Sequence, residues 1–458
     1  MQKKTSRTYE MDMCNGPLFT KIIVFAVPLM LSGILQLLFN AADIIVVGRF
    51  AGSESLAAVG STSSLINLLV NVFIGLSIGV NVLVAQFYGA QKWRELEETV
   101  HTSIVLAGIS GLFLVVLGEL VSTPMLRLMG SPENVLPLSS LYLKIYFAGM
   151  PATLIYNFGS AILRAVGDTK RPLYFLALAG VINVVLNLFF VIQCSMGVAG
   201  VALATVISQC ISAVLIVICL FKTEAPYKLV KSKLRIIPAR AAAIAKIGLP
   251  AGLQSAIFSI SNVMIQSALN SFGSIAMAGG TASANIEGFV YTAMNAMYQT
   301  ALSFTSQNFG ARKYKRMTKI MLYCMGMVTV IGIVMGYGAV LAGESLLHIY
   351  SSDPEVIQCG MQRLSIVSGP YVICGWMDTM VGGLRGMGYS IVPMLVSLTG
   401  ACALRIVWLF TVFAANRSLF VLYLSYPVTW TITFTAHIIT YLVIRRRLAK
   451  KTQVKIVD

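Results

Sequence analysis

Long apolar stretches broken by short polar and basic turns run through the whole chain of 458 residues. A helix that crosses a membrane needs about 20 mostly apolar residues. Such runs recur twelve times, near 18–48, 57–88, 99–122, 136–163, 172–193, 197–221, 244–272, 279–308, 317–342, 356–384, 391–413 and 419–444. The first has no charge from Ile22 to Ala42. Each run is long and continuous, whereas barrel strands would be short and alternating. The pattern predicts an all-α polytopic membrane protein with twelve transmembrane helices.

The twelve runs form two copies of a six-helix unit. At an offset of 221 residues, Gly52, Ser53 and Ala57 meet Gly273, Ser274 and Ala278. In the same register Gln86, Gly89, Ala90 and Lys92 meet Gln307, Gly310, Ala311 and Lys313. Leu163, Arg164, Gly167 and Pro172 likewise meet Leu384, Arg385, Gly388 and Pro393. Pro28 and Pro250, and Pro151 and Pro370, pair at almost the same offset. An even repeat brings the second copy into the membrane in the orientation of the first. The repeats are therefore parallel, and two pseudo-symmetric six-helix bundles are expected around a central cavity. The expected division is a cytoplasmic N-terminal segment (1–17), an N-lobe (18–221), a cytoplasmic linker (222–243), a C-lobe (244–444) and a basic cytoplasmic tail (445–458).

Composition sharpens this picture. Only 11% of residues are charged and the mean hydropathy is +0.81, whereas a soluble protein carries about 25% charged residues. That excludes an ordinary soluble enzyme, a disordered chain and a nucleic-acid-binding domain. The net charge of +17 is topological, since 28 of the 34 basic residues fall in the termini and the even-to-odd connections. By the positive-inside rule both termini are cytoplasmic, in a multi-pass protein of the plasma membrane. Residues 1–20 hold no apolar core of a cleavable signal peptide. The eight cysteines are scattered, without a CxxC pair, so neither disulfides nor zinc are expected. No GxxxxGK[ST] phosphate loop occurs, so energy must come from an ion gradient unless transport is passive. No cofactor, nucleotide or nucleic-acid partner is expected. The partners are small molecules and the bilayer, and the chain is expected to be a monomer.

Three sets of residues resemble the multidrug and toxic compound extrusion (MATE) family. They are Phe39-Asn40-Ala41-Ala42-Asp43 with Val47-Gly48, then Ala85-Gln86-Phe87-Tyr88-Gly89-Ala90 with its echo Ser306-Gln307-Asn308-Phe309-Gly310-Ala311. The third is Leu163-Arg164-Ala165-Val166-Gly167-Asp168 with Leu384-Arg385-Gly386. The likeness runs from Thr20 to Arg447 and is specific because the set occurs in duplicate. It implies cation-coupled export of amphipathic, often cationic, compounds by two lobes that rock around a cavity. It also implies that Asp43 is the coupling carboxylate. Many members have an acid where Asn187 stands, so the sequence departs from the pattern there.

The candidate residues are the polar ones inside the spans, where an ionised carboxylate costs roughly 2.5–3.5 kcal/mol or more and marks function. Gln36, Asn40 and Asp43 lie on one face of the first span. Asn183 and Asn187 are one turn apart in the fifth, and Thr205 stands in the sixth. Their repeat counterparts are Leu404, Trp408 and Tyr426, and Asp43 maps to Met264 or Ile265. A set kept in one copy points to a local site rather than to the interhelical hydrogen bonds that Asn and Thr also provide. Na⁺ could bind at Asp43; no other metal is expected. Pro28 removes a helix hydrogen bond and could let the first span bend. In the C-lobe, Glu287 and Asp378 are candidates for a substrate cation or proton, with Arg405 as a fixed partner of one acid. His437 reads as a packing residue.

The function expected is secondary active multidrug efflux, by H⁺ or Na⁺ antiport and alternating access. A lipid-linked oligosaccharide flippase of the same two-lobe architecture is the alternative. Its anionic head group would want a more basic interior, and here the interior is expected to hold more acids than bases. A membrane-embedded enzyme is less favoured, because the three histidines, at 101, 348 and 437, fall far apart.

Overall fold

The computed structural model describes residues 9–452, apart from the side chains at 53, 64, 451 and 452. The ends of the expected cytoplasmic segments, residues 1–8 and 453–458, lie outside the described residues. Those described form helices and short connections, without a strand.

The first repeat comprises α1 (Leu18–Phe50), α2 (Ser53–Gly89), α3 (Trp93–Leu128), α4 (Leu136–Ala148), α5 (Met150–Ala165), α6 (Lys170–Leu188) and α7 (Gly197–Lys222). The second begins with α8 (Pro238–Asn270), α9 (Ser274–Gly310), α10 (Tyr314–Leu341), α11 (Gly343–His348), α12 (Pro354–Val367) and α13 (Val372–Gly386). It ends with α14 (Ile391–Ser397), α15 (Leu404–Phe410), α16 (Val412–Ala415) and α17 (Leu419–Thr452).

Among the described residues nine helical segments are long and apolar enough to cross a membrane, and the bent pair α4–α5 makes a tenth. The expected spans 279–308 and 356–384 correspond to α9 and to α12–α13. α9 is 37 residues long but reads as polar, because Ser283, Thr300, Ser303, Thr305, Ser306, Gln307 and Asn308 are buried within its bundle. α4–α5 bends by 47° at Gly149, just before Pro151. α12 and α13 are parted by a 3₁₀ turn, Gly369–Tyr371, around Pro370. Proline lacks the amide that would continue the ladder, so both repeats break their fourth span at the matching place.

The repeat is written in the backbone as well. α2 and α9 both have 37 residues and start after glycines in the left-handed region, Gly52 at φ 87° and Gly273 at φ 95°. Each helix ends in a left-handed residue, Gln91 at φ 55° and Arg312 at φ 58°, which lets Lys92 and Lys313 bond back to the last turn. Those left-handed ends satisfy carbonyls that the helix leaves open.

Packing separates two compact units. One holds the described residues up to Asp12 together with Leu31–Leu253; the other holds Met13–Met30 and Gln254–Asp458. The first helix of each repeat is thereby divided between units, three residues after Pro250 in α8 and two after Pro28 in α1. In the first unit α8 presses backbone to backbone on α2: a Cβ at Gly75, Gly79, Gly248 or Gly252 would overlap the other helix's main chain. In the second unit Phe25 of α1 meets Phe304 edge-on at 5.3 Å.

Candidate functional site

The first unit joins four of the expected residues into one hydrogen-bonded chain. The Nδ2 of Asn187 donates to the Asp43 carboxylate and, at 3.2 Å, to Asn183 Oδ1. Asn183 Nδ2 lies 3.4 Å from Thr205 Oγ1, and the Thr205 hydroxyl donates to the Val201 carbonyl at 3.0 Å. Local structure explains the encounter. The four-residue spacing stacks Asn183 and Asn187 on one face of α6. Gly180, one turn earlier, lets the Phe39 ring of α1 sit directly on the α6 backbone, where any Cβ would overlap it. That close approach brings Asp43, one turn beyond Phe39, within reach of Asn187.

The environment is apolar. Asn183 and Asn187 are buried, Asp43 and Thr205 half-buried, and Val46, Val47, Val198, Val201 and Ala202 belong to the adjoining core. Tyr142 and Tyr146 stand within electrostatic reach of Asp43. The Oδ1 of Asn187 is buried and has no partner among the described residues, an unfilled acceptor beside a carboxylate. Gln36 and Asn40 are exposed, and no hydrogen bond links them to the chain among the described residues. Pro28 lies inside α1, where that helix passes from one unit to the other.

The C-lobe candidates separate. Glu287 forms a two-pronged pair with Arg363, at 3.0 Å to Nε and 2.9 Å to Nη2, and both are buried. Asp378 instead has Tyr291 and Arg385 as its electrostatic neighbours. The expectation that Arg405 pairs with an acid is corrected: its Nη2 meets the Thr429 hydroxyl at 3.3 Å, and its guanidinium lies 4.2 Å from the centroid of the Tyr426 ring. Arg363 had taken the acid, because α12 faces α9 at that level. Arg385 is also buried and bonds to Tyr298 and Gln254, each at 2.8 Å. The expected excess of interior acids therefore does not hold in this unit, where Arg363, Arg385 and Arg405 outnumber Glu287 and Asp378. His437 is buried against Ser397 at 3.0 Å, as a packing residue would be.

Arg363, Tyr298 and Tyr426 were not singled out by their chemistry in the sequence. Arg363 is distinguished only by its burial against Glu287. Tyr426 had one signal, as the repeat counterpart of Thr205. The loop motif 163–168 has a structural role: Asp168 accepts the amides of Lys170 and Arg171 at 3.1 Å each and pairs with the Arg171 side chain, capping the start of α6.

The MatE family model matches this chain twice, at residues 28–189 and 250–411. A probable multidrug resistance protein of Bacillus subtilis, YoeA, is 28% identical over 382 residues, 82% of each chain. The probable multidrug resistance protein NorM of Thermotoga maritima is 24% identical over 84% of each chain. An FAD transporter of Shewanella oneidensis is 23% identical over 76% of this chain and 77% of its own. An outward-facing multidrug resistance MATE transporter of the MOP superfamily superposes with a TM-score of 0.89 at 20% identity, over 99% of this chain and 100% of that one, which shows the shared fold. The double match covers well over half of the sequence, one copy for each six-span repeat: the chain belongs to the MATE family of multi-pass membrane transporters and is not an enzyme.

Proposed function

We propose that this protein exports amphipathic, often cationic, compounds by exchange with an inward-moving cation, and that the cation is a proton taken up at Asp43. In this reading it works as a monomer in the plasma membrane with both termini cytoplasmic, and its halves rock to give alternating access. The observation that carries the proposal is the chain Asp43–Asn187–Asn183–Thr205 in an apolar setting.

The chemistry follows from what each group can donate and accept. Ionised Asp43 only accepts, and Asn187 presents its amide NH₂. A protonated Asp43 becomes a donor and needs an acceptor. Asn187 supplies one if its side-chain amide turns over and points its unpartnered Oδ1 at the carboxyl. Asn183 then turns as well, giving its NH₂ to Asn187, and the Thr205 hydroxyl leaves Val201 to donate to Asn183. One proton thus reverses the direction of the whole chain and is felt on α1, α6 and α7 together. A pH difference of one unit supplies about 1.4 kcal/mol, and 100 mV of membrane potential about 2.3 kcal/mol per charge. Either is enough to bias an element whose two states lie close in energy. Glutamine and asparagine oxygens could also hold Na⁺, but a sodium ion has no use for a reversible donor chain.

The test is purified protein in liposomes with a fluorescent cation and an imposed gradient of either H⁺ or Na⁺. The expected result is flux under the pH gradient, abolished in Asp43→Asn with the folded yield unchanged. Flux under Na⁺ alone would replace the proton, and flux under neither would remove the exchange reading.

A further inference from the structure

Arg405 is 2% exposed, its Nε has no hydrogen-bond partner, and among the described residues no carboxylate pairs with it. A guanidinium inside a membrane bundle is costly without a counter-charge, and proteins that keep one use it. Its neighbours leave it positive. Arg363, 5.8 Å from the centroid of the Tyr426 ring, is already neutralised by Glu287. Thr429 takes one N–H at 3.3 Å and its own proton is given to Ser425, so it adds no charge. Asp378 shares Cys374 with Arg405 as an electrostatic neighbour but makes no ion pair with it, so among the described residues Arg405 is left without a paired carboxylate and with its Nε–H unpartnered.

The repeat makes this position informative. Tyr426 is the counterpart of Thr205 in the 221-residue register. Before Arg405 the eleventh span runs as a π-helix, Leu398–Ala403. A π segment absorbs about one extra residue, so positions after it move back by one against the other repeat. Arg405 then takes the place of Asn183. The same spot in the two bundles holds a carboxylate-linked amide chain in one and a bare guanidinium with an aromatic in the other. One is built for a cation, the other for an anion.

We propose that the Arg405 guanidinium, covered by Tyr426, is a binding site for the carboxylate of an exported compound, so that the substrates include aromatic amphipaths bearing a carboxylate. The proposal rests on the export reading above. Tyr426 is half-buried and its ring stands over the guanidinium; it meets Trp430 edge-to-face at 5.6 Å, and Trp430 stacks on Tyr371 at 5.3 Å. Tyr426 covers the guanidinium face, while Nε and one Nη form the in-plane edge that holds a carboxylate side-on. Tyr426 is the ring that a planar body attached to that carboxylate would meet, and the buried Trp430 and Tyr371 support it.

The test uses a matched pair of fluorescent rhodamines, one with a free carboxylate and one with that group as its methyl ester. Affinity of the whole protein in detergent is read by fluorescence polarisation, and export by efflux from liposomes. Wild type is expected to bind the acid about tenfold more tightly than the ester, the fold-change of one charge-assisted pair. Arg405→Gln should bring the two dyes to within about twofold by weakening the acid alone, and Arg405→Lys should restore part of the difference. Equal affinities in wild type overturn the proposal, and this comparison stands even if no variant folds. A folded Arg405→Gln that weakens both dyes alike also overturns it, because the residue is then structural. Chloride competing with the ester as strongly as with the acid overturns it too, since the site would hold a free ion. Acid-selective binding lost in Arg405→Gln, without efflux in wild type, keeps the site and removes the export reading.

Discussion

Single side chains in this protein are understood by asking where their charge or hydrogen bond ends. Glu287 and Arg363 are both buried and meet through two bonds, so neither can be removed alone without leaving an ion in an apolar bundle. Glu287→Gln is expected to destabilise the protein by about 3–5 kcal/mol, and the double change Glu287→Leu with Arg363→Met to recover most of that loss. Thermal unfolding in detergent measures both. If the single and double variants melt alike, the pair has no coupling. Asp43 stood out in the sequence as a candidate because a lone acid in an apolar run is costly. Asn187 was recognisable through its spacing from Asn183. The roles of Arg363 and Arg405 were not, because an arginine's reach exceeds a helix turn and its partner depends on which helix lies opposite.

Among the helices, glycine and proline decide which contacts are possible. The α2–α8 crossing depends on Gly75, Gly79, Gly248 and Gly252, each facing main chain across the contact. Gly75→Ala should separate these helices and cost about 1–3 kcal/mol, the usual effect of overpacking. Gly60→Ala, where nothing lies within 4 Å of the added carbon, should leave the unfolding temperature unchanged. Equal melting of the two variants would argue against a close crossing. The hydropathy pattern placed these helices well, because length and apolarity are local properties. It could not show that α9, with so many Ser, Thr, Asn and Gln side chains, is a buried span whose polar groups face protein. Nor did it show the π segment before Arg405, which has no compositional signature.

Across the chain as a whole, the concentration of 28 of 34 basic residues in one set of loops predicts the orientation. In a background cleared of the eight native cysteines, Lys231→Cys should react with a membrane-impermeant maleimide only in inside-out vesicles, and Asn134→Cys only in intact cells. The opposite labelling would reverse the topology. The amino-acid order alone determined the all-α membrane class and the duplication, and marked Asp43 as a candidate, since hydropathy, repeat spacing and an acid in an apolar run are all read along one dimension. The packing of helices distant in sequence decided the rest. It divided α1 and α8 between units, gave Glu287 to Arg363, and placed Arg405 beside Tyr426 with no paired acid among the described residues. Each of these outcomes depends on which side chains face each other across a helix contact, and a guanidinium finds its partner in space, not in sequence.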